Sequence, residues 1–130
     1  MRERNVEIAR GAIAAYNDGD IDAVLAVAFD ELDLVSTPEM PNSGHFHGPD
    51  GFIRWLTQWL EAWDEHRLEL LAIEALDDRH VVADVRQIGR GAHSGIEIDM
   101  TVIHLYEIDA DGKIVRFQLH LHRDAALAAV

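Results

Sequence analysis

His104 and Tyr106 stand two residues apart in the run DMTVIHLYEI, and on an extended strand two such residues project from the same face. A neutral imidazole offers one donor and one acceptor. Beside a phenol it could polarise a ligand carbonyl or relay a proton, provided a second group fixes its tautomer. The same histidine could instead be a core residue satisfied by a neighbouring carbonyl. Placed between Val102, Leu105 and Tyr106, it should be desolvated and therefore neutral at pH 7. Asp84 and Arg86 repeat the two-residue spacing and could pair, either as a charge-assisted unit inside or on the rim of the sheet or as a structural ion pair. Tyr16, near the end of a helical pattern, could project its hydroxyl into the same space or merely pack there. His104 and Tyr106 are the candidate catalytic pair. Tyr16, Phe52, Trp55, Trp59, Asp84, Arg86 and Val102 are the candidate ligand-binding residues.

Other chemistry has less support. His45 with His47 and His120 with His122 form two His-x-His pairs, but a catalytic zinc site needs a third protein ligand, and no HExxH motif supplies one. No metal and no cofactor is expected. The chain has no cysteine, and Ser36, Ser43 and Ser94 lie in no GxSxG elbow. The turn GRGAHSG neither follows the phosphate-loop pattern nor leads into a helix.

The element that must position the candidate pair is Gly95 to Ile108, GIEIDMTVIHLYEI, rich in β-branched and aromatic residues and free of proline. At this length a strand would run about 46 Å, so it fits a small domain only by bending, and a bent strand implies a curved sheet with a hollow side. Met100, Val102, His104 and Tyr106 share one face; Asp99, Thr101, Ile103 and Leu105 share the other. Both faces are partly apolar, so both should be covered. Val6, Ile8, Ala9, Ile13 and Tyr16 recur at helical spacing up to the turn Asn17-Asp18-Gly19. Asp20 is placed to cap a second helix that carries Ile21, Val24, Leu25 and Val27 and ends near Phe29. A brief strand from Asp33 to Thr37 and a loop to Gly48 follow. Pro49 then opens a helix whose apolar face comprises Phe52, Trp55, Leu56, Trp59, Leu60 and Trp63. Arg67 to Ala75, Val81 to Ile88 and Lys113 to His122 read as further strands, and Asp124 to Ala129 as a terminal helical turn. The order is that of an α+β fold with helices on one face of an antiparallel sheet.

With 130 residues and 48% hydrophobic content, residues 1–130 suit one domain. The formal charge of −13 repels phosphate, and the eleven Lys and Arg residues form no stripe, which argues against nucleic acid and anionic membranes as partners. No signal peptide or membrane-spanning run is evident, so a cytoplasmic location is expected. Apolar residues on both faces of the long strand predict a homodimer through the convex side.

The segments AAYNDGDIDAVLAVAFDE, GHFHGPDGFIRWL, GRGAHSG and DGKIVRF, in this order and spacing, resemble the SnoaL-like branch of the nuclear transport factor 2-like superfamily over nearly the whole chain. That superfamily holds ketosteroid isomerases, polyketide cyclases, limonene epoxide hydrolase and scytalone dehydratase. The resemblance implies a cone-shaped curved sheet with helices packed on its concave face and a mostly apolar pocket. It also implies that Phe117, Leu119 and Leu121 face the pocket while His120 and His122 face outward. Carried over residue by residue, the isomerase's helix tyrosine falls at Ala12, its proton-shuttling carboxylate at Thr37 and its acid at His104. The cyclases' strand aspartate falls near Leu119. Two functions of different class follow: an isomerase, cyclase or hydratase working by acid–base chemistry on a hydrophobic small molecule, or a binding module without turnover. A shared fold does not choose between them.

Overall fold

The computed structural model describes residues 1–20, 22–23, 28–36, 44–92 and 94–130, and leaves the side chains of 28–36, 44, 45, 49, 59, 60 and 65 outside the description. Apolar residues at helical spacing form helix α1, Arg2–Asn17, which buries Ala9 and Ile13. The strands are β1, Ala28–Ser36; β2, Gly44–His47; β3, Trp63–Ala75; β4, His80–Gly91; β5, Glu97–Ile108; and β6, Ile114–His120. Helix α2, Gly48–Glu61, lies between β2 and β3, and helix α3, Arg123–Ala128, ends the chain. Gly48 has φ of +71°, a left-handed backbone that glycine adopts without strain, and this lets the chain turn sharply from β2 into α2.

The described strands form one sheet in the order β2-β1-β6-β5-β4-β3. Neighbours run antiparallel except β1 and β6, which are parallel. Bulges interrupt β3 at Trp63/Glu65 and Leu70/Ala72, and bulges bend the strand that carries them. On β4, Val81, Ala83, Val85 and Gln87 face α1 and α2 on the concave side. The register continues that face through Val102, His104 and Tyr106 of β5 to Phe117 and Leu119 of β6.

Several expectations need correction. The strand read as Asp33 to Thr37 begins at Ala28, where a helix end was expected. The expected loop before Gly48 contains β2, whose Gly44 and histidines carry little strand propensity; its structure comes from pairing with β1, Ser36 opposite Gly44 to Asp33 opposite His47. Trp63 opens β3 and does not belong to the face of α2, because the helix ends at Glu61; it is still buried in the same core. The helices are not all on the concave face. Helix α3 covers the other one, where Ala126 packs on Val82, Ile103 and Leu105. Of the expected second helix, residues 21 and 24–27 lie outside the described residues, but Asp20 Oδ1 accepts the Ala23 N–H at 3.1 Å, as a cap would. No described helix is long and apolar enough to cross a membrane.

Candidate functional site

Two asparagines fix α1 against the sheet and so determine what its last turn can reach. Asn5, fully buried, donates from Nδ2 to the Asp78 carbonyl at 2.9 Å. Arg4 donates both to Asn5 Oδ1 and to the carbonyls of Asp109 and Ala110. At the other end, Asn17 Nδ2 donates to the Leu68 carbonyl at 2.7 Å, and Asn17 Oδ1 accepts the Leu68 N–H at 2.9 Å. These bonds satisfy backbone groups of the edge strand β3 and hold the end of α1 beside it. Tyr16 is thereby brought to His66, with its hydroxyl 2.7 Å from Nδ1.

Between α1, α2 and the concave face lies a cavity of about 80 Å³. Its apolar walls include Ile13, Phe52, Trp55, Leu68, Phe117 and Leu119, and its polar groups are Tyr16, His66, Gln87, His104 and Tyr106. Among the described residues lining it there is no Asp, Glu, Lys or Arg.

The two histidines sit in separate tyrosine pairs. His104, 4% exposed, has Nδ1 2.9 Å from the Tyr106 hydroxyl. Phe117, opposite Tyr106 in the β5–β6 register, stacks on Tyr106 with ring centres 5.0 Å apart and meets the His104 ring edge-on at 5.1 Å. Burial disfavours the imidazolium and takes the His104 pKa down to about 3, and the charge of His66 acts in the same direction. Burial likewise pushes the Tyr106 phenol up. His66 stacks on Trp63 at 5.6 Å; burial lowers its pKa to about 4, with the neighbouring Gln87 side chain acting the other way. Both imidazoles are therefore neutral at pH 7. If the Tyr106 hydroxyl donates to His104 Nδ1, the ring proton is on Nε2 and free to donate. If Nδ1–H donates to the phenol oxygen, the phenol proton is free instead. In either case the pair has one donor and one acceptor left for a third molecule.

Of the residues expected here, Tyr16, Phe52, Trp55, His104 and Tyr106 line the cavity. Val102 is buried in the core on the same face without forming its wall. The side chain of Trp59 and residue Thr37 lie outside the description. Asp84 and Arg86 are on the opposite face and do not pair with each other, because even-numbered positions of β4 point away from α1 and α2. Arg86 donates to both carboxylate oxygens of Asp99, at 2.7 and 2.5 Å, and Asp84 accepts from Arg123 at 3.0 Å. Ala12 and Leu119 are at the cavity, the positions where the isomerase and cyclase residues would fall. Phe117 also faces the cavity, as expected, and Leu121 packs against the core on that side. His120 Nε2 is bonded to Gln118 Oε1 at 2.9 Å, and His122 is the N-cap residue of α3 without a side-chain cap bond.

His66 and Gln87 are not singled out by the sequence pattern. His66 lies one residue before the expected start of its strand. Gln87 does leave a signal, as a polar residue in phase with Val81, Ala83 and Val85.

The SnoaL-like domain model matches residues 9–117, which run from α1 into β6. No curated protein matches the chain. An NTF2-like protein from Burkholderia thailandensis has the same fold at 25% identity, with a TM-score of 0.82 over 96% of this chain and 95% of that one. TerC, co-crystallized with polyporic acid, gives 19% identity and a TM-score of 0.81 over 96% of each chain. Bal32a, from a soil-derived mobile gene cassette, gives 19% identity and 0.82 over 97% and 95%. With the family model running from the helix to the last strand that wall the cavity, the chain belongs to the SnoaL-like domain family.

Proposed function

We propose that the cavity receives an uncharged, largely apolar small molecule carrying a carbonyl or hydroxyl oxygen, and that the His104–Tyr106 pair hydrogen-bonds that oxygen. The observation supporting this is the absence of any ionised group among the described lining residues, combined with two neutral imidazole–phenol pairs. A charged ligand would be stripped of water here and given no counter-charge, a cost of several kcal/mol. A dry cavity of roughly 150 Å³ accommodates benzene, so a ring-bearing ligand would enter this smaller one only as Phe52 or Trp55 moves aside.

Family membership adds isomerases, cyclases and hydratases as reaction classes. In such a reaction the neutral pair suits the acid role, donating to an oxygen that gains charge in the transition state. Proton abstraction by His104 is disfavoured, since a base with a pKa near 3 is poorly matched to neutral pH. Binding without turnover is the second reading, supported by Ala12 and Leu119 at the positions where the family's enzymes carry a tyrosine and an aspartate. Replacing His104 with Gln separates the two: an enzyme keeps its fold and ligand affinity within about tenfold and loses roughly 100-fold in turnover, whereas a binding module changes only in affinity.

The ligand class is tested by thermal shift with neutral aromatic ketones, their carboxylate analogues and polyporic acid, the compound crystallised with TerC. A neutral ligand at 100 times its dissociation constant should add about 2.7 kcal/mol. Carboxylates that stabilise more than the ketones would overturn the proposal. The accompanying expectations are a cytoplasmic protein that ignores nucleic acid and membranes and forms a homodimer. A 14.6 kDa particle in light scattering would count against the dimer.

A further inference from the structure

Gln87 is 2% exposed, and its Nε2 has no hydrogen-bond partner among the described residues. Leaving a buried amide donor unsatisfied is costly, and such groups in folded proteins usually face a ligand or solvent molecule. Its neighbours on the sheet are apolar: Leu68 is directly opposite on β3 and Met100 on β5. The side chain lines the cavity, beside His66 and on the same face. His104 is opposite Ala83, four residues back along β4, so the two polar groups stand about 13 Å apart along the strand before their side chains reach inward. Apolar side chains of the cavity wall accompany both groups, Leu68 opposite Gln87 and Leu119 opposite His104.

We infer that Gln87 is a second ligand-binding residue, whose Nε2–H donates to an oxygen at the far end of the same molecule that His104 and Tyr106 hold. The ligand class narrows accordingly to an apolar body with hydrogen-bond acceptors at both ends. This rests on the proposed ligand class and adds the second acceptor to it.

The test compares para-diacetylbenzene, which has two carbonyls at opposite ends, with acetophenone, which has one, on the wild-type chain and on Gln87→Met. Methionine keeps the length and apolar stem of glutamine and removes the donor. The wild type should bind the diketone about tenfold more tightly than the monoketone, and Gln87→Met should bind the two equally. Gln87→Leu serves for the same comparison if the methionine variant does not fold. A wild type that binds both ketones with equal affinity, or a Gln87→Met variant that keeps the tenfold preference for the diketone, would overturn the role of Gln87. Failure of both ketones to bind the wild type would instead overturn the proposed ligand class, and the role of Gln87 with it.

Discussion

On β4 and β5, neighbouring residues meet opposite electrostatic conditions. Gln87 and His104 face the cavity, where every described lining side chain is neutral. Arg86, Asp84 and Asp99 face outward and are held in ion pairs: Arg86 with Asp99 and Glu69, and Arg123 with Asp84 and Glu74. On the outer face water screens the charges, and Asp99, paired with Arg86, is held below the usual carboxylate range. On the inner face burial removes the charge from the groups themselves, so His104 and His66 remain neutral imidazoles. Polarity survives on both sides of the sheet, but only the inner side can bind a neutral oxygen without competition from ions or water.

The contrast can be challenged by mutation and by pH. Trp55, 6% exposed, packs edge-on against Phe117 on the inner side, and Trp55→Ala should cost about 3–5 kcal/mol in urea denaturation; a loss below about 1 kcal/mol would mean that α2 is not seated on the sheet. Acid should act through the same face. His104 titrates near 6.5 when unfolded and near 3 when folded, so between these values the unfolded chain binds more protons and stability falls as pH falls. At pH 5 this amounts to about 2 kcal/mol from His104, and His66 acts in the same direction. In His104→Phe the drop in stability between pH 7 and pH 5 should shrink by about that amount, and an unchanged pH dependence would show that the ring is solvated. The outer face should respond least. Arg86→Met should leave the melting temperature without resolvable change, and any difference should disappear in molar salt.

The fold and the site are legible in the sequence to different degrees. Strand β5 is readable because β-branched and aromatic residues fill it without a break, and its period of two puts His104 and Tyr106 on one face from residue order alone. The apolar face of α2 is readable for the same kind of reason. Strand β4 is readable as a strand but its facing is not, because Val81, Val82 and Ala83 are consecutive and buried on both faces, so the alternation does not show whether Asp84 or Val85 points inward. The expected pairing of Asp84 and Arg86 fails on partners that lie on other elements: Glu69 is directly opposite Arg86 across β3, and Arg123 reaches Asp84 from α3.

Local pattern determined those features whose cause is local: helical spacing in α1, the Ala23 N–H bond to Asp20, the turn at Gly19, and the shared face of His104 and Tyr106. Composition determined the acidic charge and the lack of thiol chemistry. Only the tertiary structure decided which face is hollow, because that depends on where α1, α2 and α3 settle. It also decided that Tyr16 meets His66 fifty residues away, a contact produced by Asn17 gripping the edge of β3. The neutrality of His66 was decided there as well, whereas that of His104 was already expected from its apolar neighbours on the strand. An imidazole's charge depends on the water it loses, and the water lost is set by residues distant in the chain that close over it.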